Sequence, residues 1–212
     1  MRVQLQAASH VHLSCLLPAF PLVIAATRGK TLVRRRGFER LVVPGQPVVV
    51  APFEAVDLHL DGGAVQPACC SLEIQLQPAG APSVSLHHRL SQRVFVQPQH
   101  TWSAAFIADL LRASPTQVRR TLFSEGAALT ELCRTQRLMR ALFEVLHDSA
   151  GADELKRRIG WPQRSDLEAA FYDCVGLSLH TLRRLGSGSG RTTLASARAD
   201  AFVPQWPEQQ LA

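Results

Sequence analysis

The 212-residue sequence predicts an α+β fold: a small β-rich N-terminal part, then an all-α part of two helix-turn-helix units joined by a long helix. Three observations predict it. Short β-favouring runs separated by turn signals crowd residues 1–82. From residue 101 the apolar residues recur at helical spacing instead. Within that second stretch a pair of helices joined by a tight turn occurs twice, with one long amphipathic helix between the pairs.

In the N-terminal part the β-favouring runs are Leu22-Val-Ile, Leu32-Val-Arg, Leu41-Val-Val, Pro47-Val-Val-Val and Ser71-Leu-Glu-Ile-Gln-Leu. Arg28-Gly29-Lys30, Arg36-Gly37, Pro44-Gly45-Gln46 and Asp61-Gly62-Gly63 supply the turns between them. Strict alternation places Val56, Leu58 and Leu60 on one face and Asp57 and His59 on the other. Short strands at this spacing suit a small sandwich or part of a barrel. The apolar stretch 13–26 imitates a signal peptide, but Pro18 and Pro21 interrupt it and it is too short to span a bilayer as a helix. It is read as strands of a cytoplasmic domain, and no membrane partner is expected.

His10-Val-His12 puts two imidazoles on one strand face, as a metal site would require. No carboxylate follows at short spacing, and His59 and the His87-His88 pair stand in no recognisable register with it. The histidines are read as packing or solvated side chains, with no metal site, no catalytic residue and no cofactor. The cysteines are five, an odd number without Cys-x-x-Cys spacing, which fits a reducing compartment rather than a disulfide framework. Net charge is +6 and the isoelectric point about 9.6, mild support for a polyanionic partner. Only Lys30 and Lys156 among the 23 basic residues are lysines, a bias that a GC-rich genome explains better than phosphate recognition does.

Ala79-Gly-Ala-Pro82 closes the β-rich domain 1–82, and 83–100 is an amphipathic linker that is in part a connecting helix. Thr101 or Ser103 starts a helix carrying Phe106, Ile107, Leu110 and Leu111. After the three-residue gap Arg112-Ala-Ser114, a helix spans 115–124: Ser114 caps it, Pro115 suits its first position and Gly126 ends it. Val118 and Leu122 share its apolar face. Thr116, Gln117, Arg119, Arg120 and Ser124 point elsewhere, as the residues of a helix entering a DNA major groove do. A long helix over 130–146 follows, with Leu132, Leu138, Leu142, Val145 and Leu146 as its stripe and Arg134, Arg137 and Arg140 on other faces. A helix ending at Gly160 comes next, then one over 162–174 whose exposed residues include Gln163, Arg164, Asp166, Glu168 and Asp173. The last runs from a cap at Ser178 to Arg184, and 186–212 reads as a disordered tail with isolated Phe202 and Trp206.

Over residues 101–185 this order resembles the DNA-binding domain of the AraC/XylS family of bacterial transcription regulators. The elements that carry the resemblance are Ile107-Ala108, Ser114 through Arg120, Gly126, Arg137-Leu138, Ala141, Gly160-Trp161, Ser165, Phe171, Gly176-Leu-Ser178 and Arg183. The second unit departs from it: Lys156 stands where the family has a small alanine, and Leu179 where a proline is usual.

The resemblance implies a cytoplasmic, sequence-specific regulator, an activator rather than an enzyme, with double-stranded DNA as its partner. Its DNA-binding residues would be Thr116, Gln117, Arg119, Arg120, Arg137, Arg140, Gln163, Arg164 and Ser165. Arg119 or Arg120 would pair with guanine. Arg137 would either face phosphate or brace the two halves. The second unit would either read bases or serve shape, packing or contact with RNA polymerase, since Asp166, Glu168 and Asp173 would meet phosphates. The N-terminal region would be a partial, cupin-like regulatory domain that senses an effector ligand, forms a homodimer or binds a regulatory protein. Two alternatives stand beside this: a protein-interaction regulator with weak or lost DNA binding, and a metal-dependent cupin-type enzyme or small-molecule binder.

Overall fold

The computed structural model describes residues 1–76, 85–148 and 150–187. The boundary expected at 79–82 and the tail from 188 onward, with Phe202 and Trp206, lie outside the described residues. Eight strands occupy the first part: β1 (Arg2–Ala7), β2 (His10–Leu16), β3 (Leu22–Arg28), β4 (Lys30–Arg35), β5 (Phe38–Val42), β6 (Val48–Val50), β7 (Val56–Asp61) and β8 (Ala68–Ile74). They form two four-stranded antiparallel sheets, in the orders β1-β8-β3-β6 and β2-β7-β4-β5. β1 was not among the expected runs, although it buries Val3, Leu5 and Ala7 on alternate positions. Its outward glutamines and arginine hide a period-two pattern that is plain once the strand is seen. The apolar faces of the two sheets meet in one core, where Leu5, Ile24 and Leu72 join Leu13, Leu58 and Leu60.

Seven helices follow among the described residues: α1 (Leu86–Val96), α2 (Ala104–Leu111), α3 (Pro115–Ser124), α4 (Leu129–His147), α5 (Ala152–Arg158), α6 (Leu167–Val175) and α7 (Leu179–Ser187). Local chemistry sets their ends. The side chains of Ser85, Ser103 and Ser114 accept from the backbone N–H of His88, Phe106 and Gln117 at 3.3, 3.1 and 3.1 Å. Gly126, at φ +74°, takes the left-handed conformation that stops α3. Two boundaries differ from expectation. α6 starts at Leu167 instead of 162, because 162–165 form a turn in which Ser165 N–H donates to the Pro162 carbonyl, and Asp166 is the cap. α7 runs past Arg184 to Ser187, so the first residues of the expected tail are helical; α7 packs along α4 and β1, with Gly186 against Leu146.

The packing does not follow the β-then-α order of the chain. One cluster contains the sandwich interior together with the second half of α4, α5, α6 and α7. A second cluster contains α1, α2, α3 and the first turn of α4, through Leu86, Leu90, Ile107, Val118, Leu122 and Leu132. Phe95 on α1 belongs to the first cluster, edge-on to Phe20 of the sandwich at 5.8 Å and to Phe143 of α4 at 6.0 Å. Side chains of α1 and α4 also grip the β2–β3 connection: Gln92 donates to the Ala19 carbonyl and Gln136 to the Leu17 carbonyl, both at 3.2 Å. Phe95 is fully buried. Its replacement in Phe95→Ala is expected to cost about 3–5 kcal/mol. Urea unfolding followed by circular dichroism checks this, with the sheet and α4–α7 signals expected to be lost in one transition of lowered midpoint.

Candidate nucleic-acid interface

α3 is held by one face and bare on the other. Val118 and Leu122 are buried in the second cluster. Thr116, Gln117, Arg119, Arg120 and Phe123 are all exposed. Four of these, Thr116, Arg119, Arg120 and Phe123, recur at helical spacing and make a single outward stripe. α3 itself carries no acid. The nearest one, Glu125, is turned the other way: its carboxylate accepts from the backbone N–H groups of Leu86 and His87 at 3.0 and 2.7 Å. It therefore fills orphan donors at the start of α1 and leaves the α3 stripe without a carboxylate of its own. The tight turn before α3 is made by Arg112 in the left-handed region, at φ 52°, an unusual place for a non-glycine residue.

The other expected contacts are distributed differently. Arg137 is half-buried and donates through Nε to the Pro98 carbonyl at 3.1 Å and through Nη2 to the His100 carbonyl at 3.0 Å. It holds the segment that leads into α2. Gly160 closes on that same segment: a Cβ at this left-handed position would collide with the Pro98 carbonyl oxygen. Arg140 is turned into the protein, paired with Glu144 at 2.6 Å and set over the Phe95 ring at 5.8 Å.

Gln163, Arg164 and Ser165 are exposed but sit in the turn before α6 rather than on the helix. Two of the three acids expected to meet phosphate, Asp166 and Glu168, accept from backbone N–H groups as caps. Asp166 accepts from Ala169 N–H at 3.1 Å, and Glu168 accepts from Leu179 N–H at 2.9 Å at the start of α7. A proline at 179 would leave no N–H to satisfy; leucine leaves one, and Glu168 supplies the partner. Lys156 donates to the Gln163 carbonyl at 3.1 Å and fixes the turn. Tyr172 and Asp173 remain exposed on α6. The end of α6 lies against β2, where Gly176 meets Ser14.

Outside these helices, the sandwich does bring histidines together. His59 is directly opposite His12 across β2 and β7, with the rings stacked at 4.1 Å, and His10 is 6.0 Å from His59. Burial, then the neighbouring His12 and His10, lowers the His59 pKa. Among the described residues no three His, Cys, Asp or Glu side chains are arranged to hold a metal ion. Burial pushes the Cys70 thiol up to about 12 and the Cys133 thiol to about 11, so neither is a nucleophile at neutral pH. An apolar crevice between the sandwich and α4 is lined by Leu16, Pro18, Leu22 and Met139, among others, and by no charged residue. Among the described residues no helix is long and apolar enough to cross a membrane.

No family model matches this sequence, and no curated protein matches it. Solved structures do. ToxT from Vibrio cholerae strain SCE256, with an unsaturated fatty acid bound, superposes with a TM-score of 0.65 at 9% identity, over 91% of this chain and 97% of that one. The chain shares the fold of ToxT. ToxT from strain O395 gives 0.63 at 9% identity, over 87% of this chain and 97% of that one. The same protein bound to (E)-4-(8-methylnaphthalen-1-yl)but-3-enoic acid gives 0.62 at 8%, over 86% and 98%. At these identities ToxT is similar in fold, and the side chains above stand on their own.

Sequence reading missed Phe123 and the capping roles of Glu125 and Glu168. The i, i+4 step from Arg119 was available as a signal for Phe123; nothing in the sequence announced the two carboxylates as caps for helices distant in the chain. Arg137→Ala is expected to lose about 1.5–3 kcal/mol of stability, the range for hydrogen bonds from a charged donor. Its slope of log affinity for duplex DNA against log salt should match the parent's. A slope reduced by about one would instead put Arg137 on a phosphate.

Proposed function

We propose that this protein is a sequence-specific DNA-binding transcription regulator, an activator, that reads the major groove with α3. One observation carries the reading: α3 is anchored by Val118 and Leu122 and presents Thr116, Arg119 and Arg120, with Gln117 beside them, on an exposed face free of acid. Basic side chains neutralise phosphate for affinity, and a fork-shaped guanidinium reads guanine for sequence. The fold shared with ToxT supports the same reading, as does the tight turn at Arg112 that joins α2 to α3 in the pattern of a helix-turn-helix unit. No bond-making step is part of the proposal. The second unit contributes through the turn 163–165 and through contact with RNA polymerase, while the β sandwich supports a homodimer or receives a signal.

The two ligands named with ToxT are both acids. The crevice beside α4 has no cation among its lining residues, so it is not assigned to a ligand of that kind. A second reading, a protein-interaction regulator with weak or lost DNA binding, draws on the exposed Tyr172 and Asp173 of α6 and the absence of any base on that helix.

Arg119→Ala and Arg120→Ala are each expected to weaken binding to the selected DNA site about 5- to 150-fold, given about 1–3 kcal/mol for a bidentate guanine contact. The circular dichroism spectrum should not change. Gel-shift titration at physiological salt with competitor DNA measures this. Parent-like binding by both variants would remove α3 from the role, and an absence of salt-dependent affinity in the parent would favour the protein-interaction reading.

A further inference from the structure

We propose that Phe123 contacts the C5-methyl group of a thymine in the DNA site and so fixes one base of the sequence that α3 reads. This rests on α3 being the recognition helix and adds a second kind of readout to it.

Phe123 is 82% exposed, and no other large apolar residue on a described helix is exposed as far. It has no part in holding α3 down, because Val118 and Leu122 occupy the buried face. It does share the outward stripe with Thr116, Arg119 and Arg120, three residues beyond Arg120 and four beyond Arg119. A solvated position in the last turn of a helix would ordinarily hold a long polar side chain; an aromatic ring there keeps apolar surface in water until something covers it.

What covers it follows from its neighbours. A partner protein would have to bury Arg119 and Arg120 beside the ring, leaving two cations to be paired. The major groove instead offers acceptors to the arginines and one apolar group, the thymine methyl, to the ring. The three residues from Arg120 to Phe123 advance about 4.5 Å along the helix axis. Successive base pairs are about 3.4 Å apart. The thymine therefore lies one or two base pairs from the guanine that an arginine reads.

The test starts from the duplex site selected by the purified full-length protein out of random sequence. Each thymine is then replaced by deoxyuridine, which lacks only the methyl group, and binding is compared for the parent, Phe123→Ala and Phe123→Leu. The parent should bind about fourfold more weakly at one or two of these replacements, the value for one buried methyl group. These positions should lie within two base pairs of the guanine whose contribution Arg119→Ala or Arg120→Ala abolishes. Phe123→Ala should bind thymine and uracil duplexes equally, keep its salt dependence and keep its circular dichroism spectrum; Phe123→Leu should retain part of the preference. If the parent selects a site but ignores every methyl, or if Phe123→Ala keeps the parent's thymine preference, the inference is overturned while α3 remains the recognition helix. If no site is selected, or if both arginine variants bind like the parent, the recognition-helix reading fails and takes this one with it.

Discussion

Phe95 sits where three parts of the chain meet, between Phe20 of the sandwich and Phe143 of α4, with the Arg140 guanidinium above its ring. It lies on a helix whose other buried residues, Leu86, Leu90 and Val94, belong to a different cluster. α1 therefore ties the α2–α3 unit to the larger core, with Phe95 as its fully buried contact near the end of the helix. α4 makes the same bridge over its length: Leu132 and Cys133 pack with α2 and α3, while Leu138 through Leu146 pack with the sandwich and α7. Close-packed interiors resist even small volume changes, so these two helices set where α3 is held. The second helix-turn-helix unit has no core of its own apart from the sandwich.

Hydrogen bonds hold the same junction from outside. Residues 98–100 are gripped on one side by the Arg137 guanidinium and on the other by the backbone at Gly160. At the opposite end of α1, Phe53 of the sandwich stacks on His88 at 3.9 Å, and the neighbouring His87 N–H reaches Glu125 at the end of α3. A contiguous route of packed rings and charge-assisted hydrogen bonds thus runs from sandwich to α3. Such a route meets the structural requirement for coupling, which a measured energy alone can establish. Burial lowers the His87 pKa, the neighbouring His88 adds to this and Glu125 opposes it, so the imidazole on this route is held neutral more firmly than a free one.

Much of this was legible in the sequence because it is local. The start of α3 follows from Ser114 and Pro115, and its end from Gly126, each acting within one turn. The apolar stripes of α3 and α4 are period arguments, and β7 announces itself by alternation. What was not legible is what depends on distant partners. His10-Val-His12 showed no relation to His59 until antiparallel pairing set His12 opposite it. Arg137 and Arg140, three residues apart, look alike in the sequence; one donates to backbone carbonyls and the other to Glu144 because the helix turns them toward different neighbours. The start of α6 was placed too early because proline favours a first turn, and the competing Asp166 cap prevailed.

The caps also explain why the two units look so unlike in charge. α3 begins at a serine, which satisfies Gln117 N–H without adding charge, and its nearest carboxylate is occupied by the start of α1. Two arginines on its open face therefore meet no local competitor. α6 begins at an aspartate, and Glu168 two residues later is needed by Leu179, where the chain offers an N–H. Counting acids along α6 overstates what it presents: Asp166 and Glu168 are bound to backbone donors, and Asp173 is the acid left facing outward at large. Charge read along a sequence becomes a statement about an interface only after the backbone has taken its share.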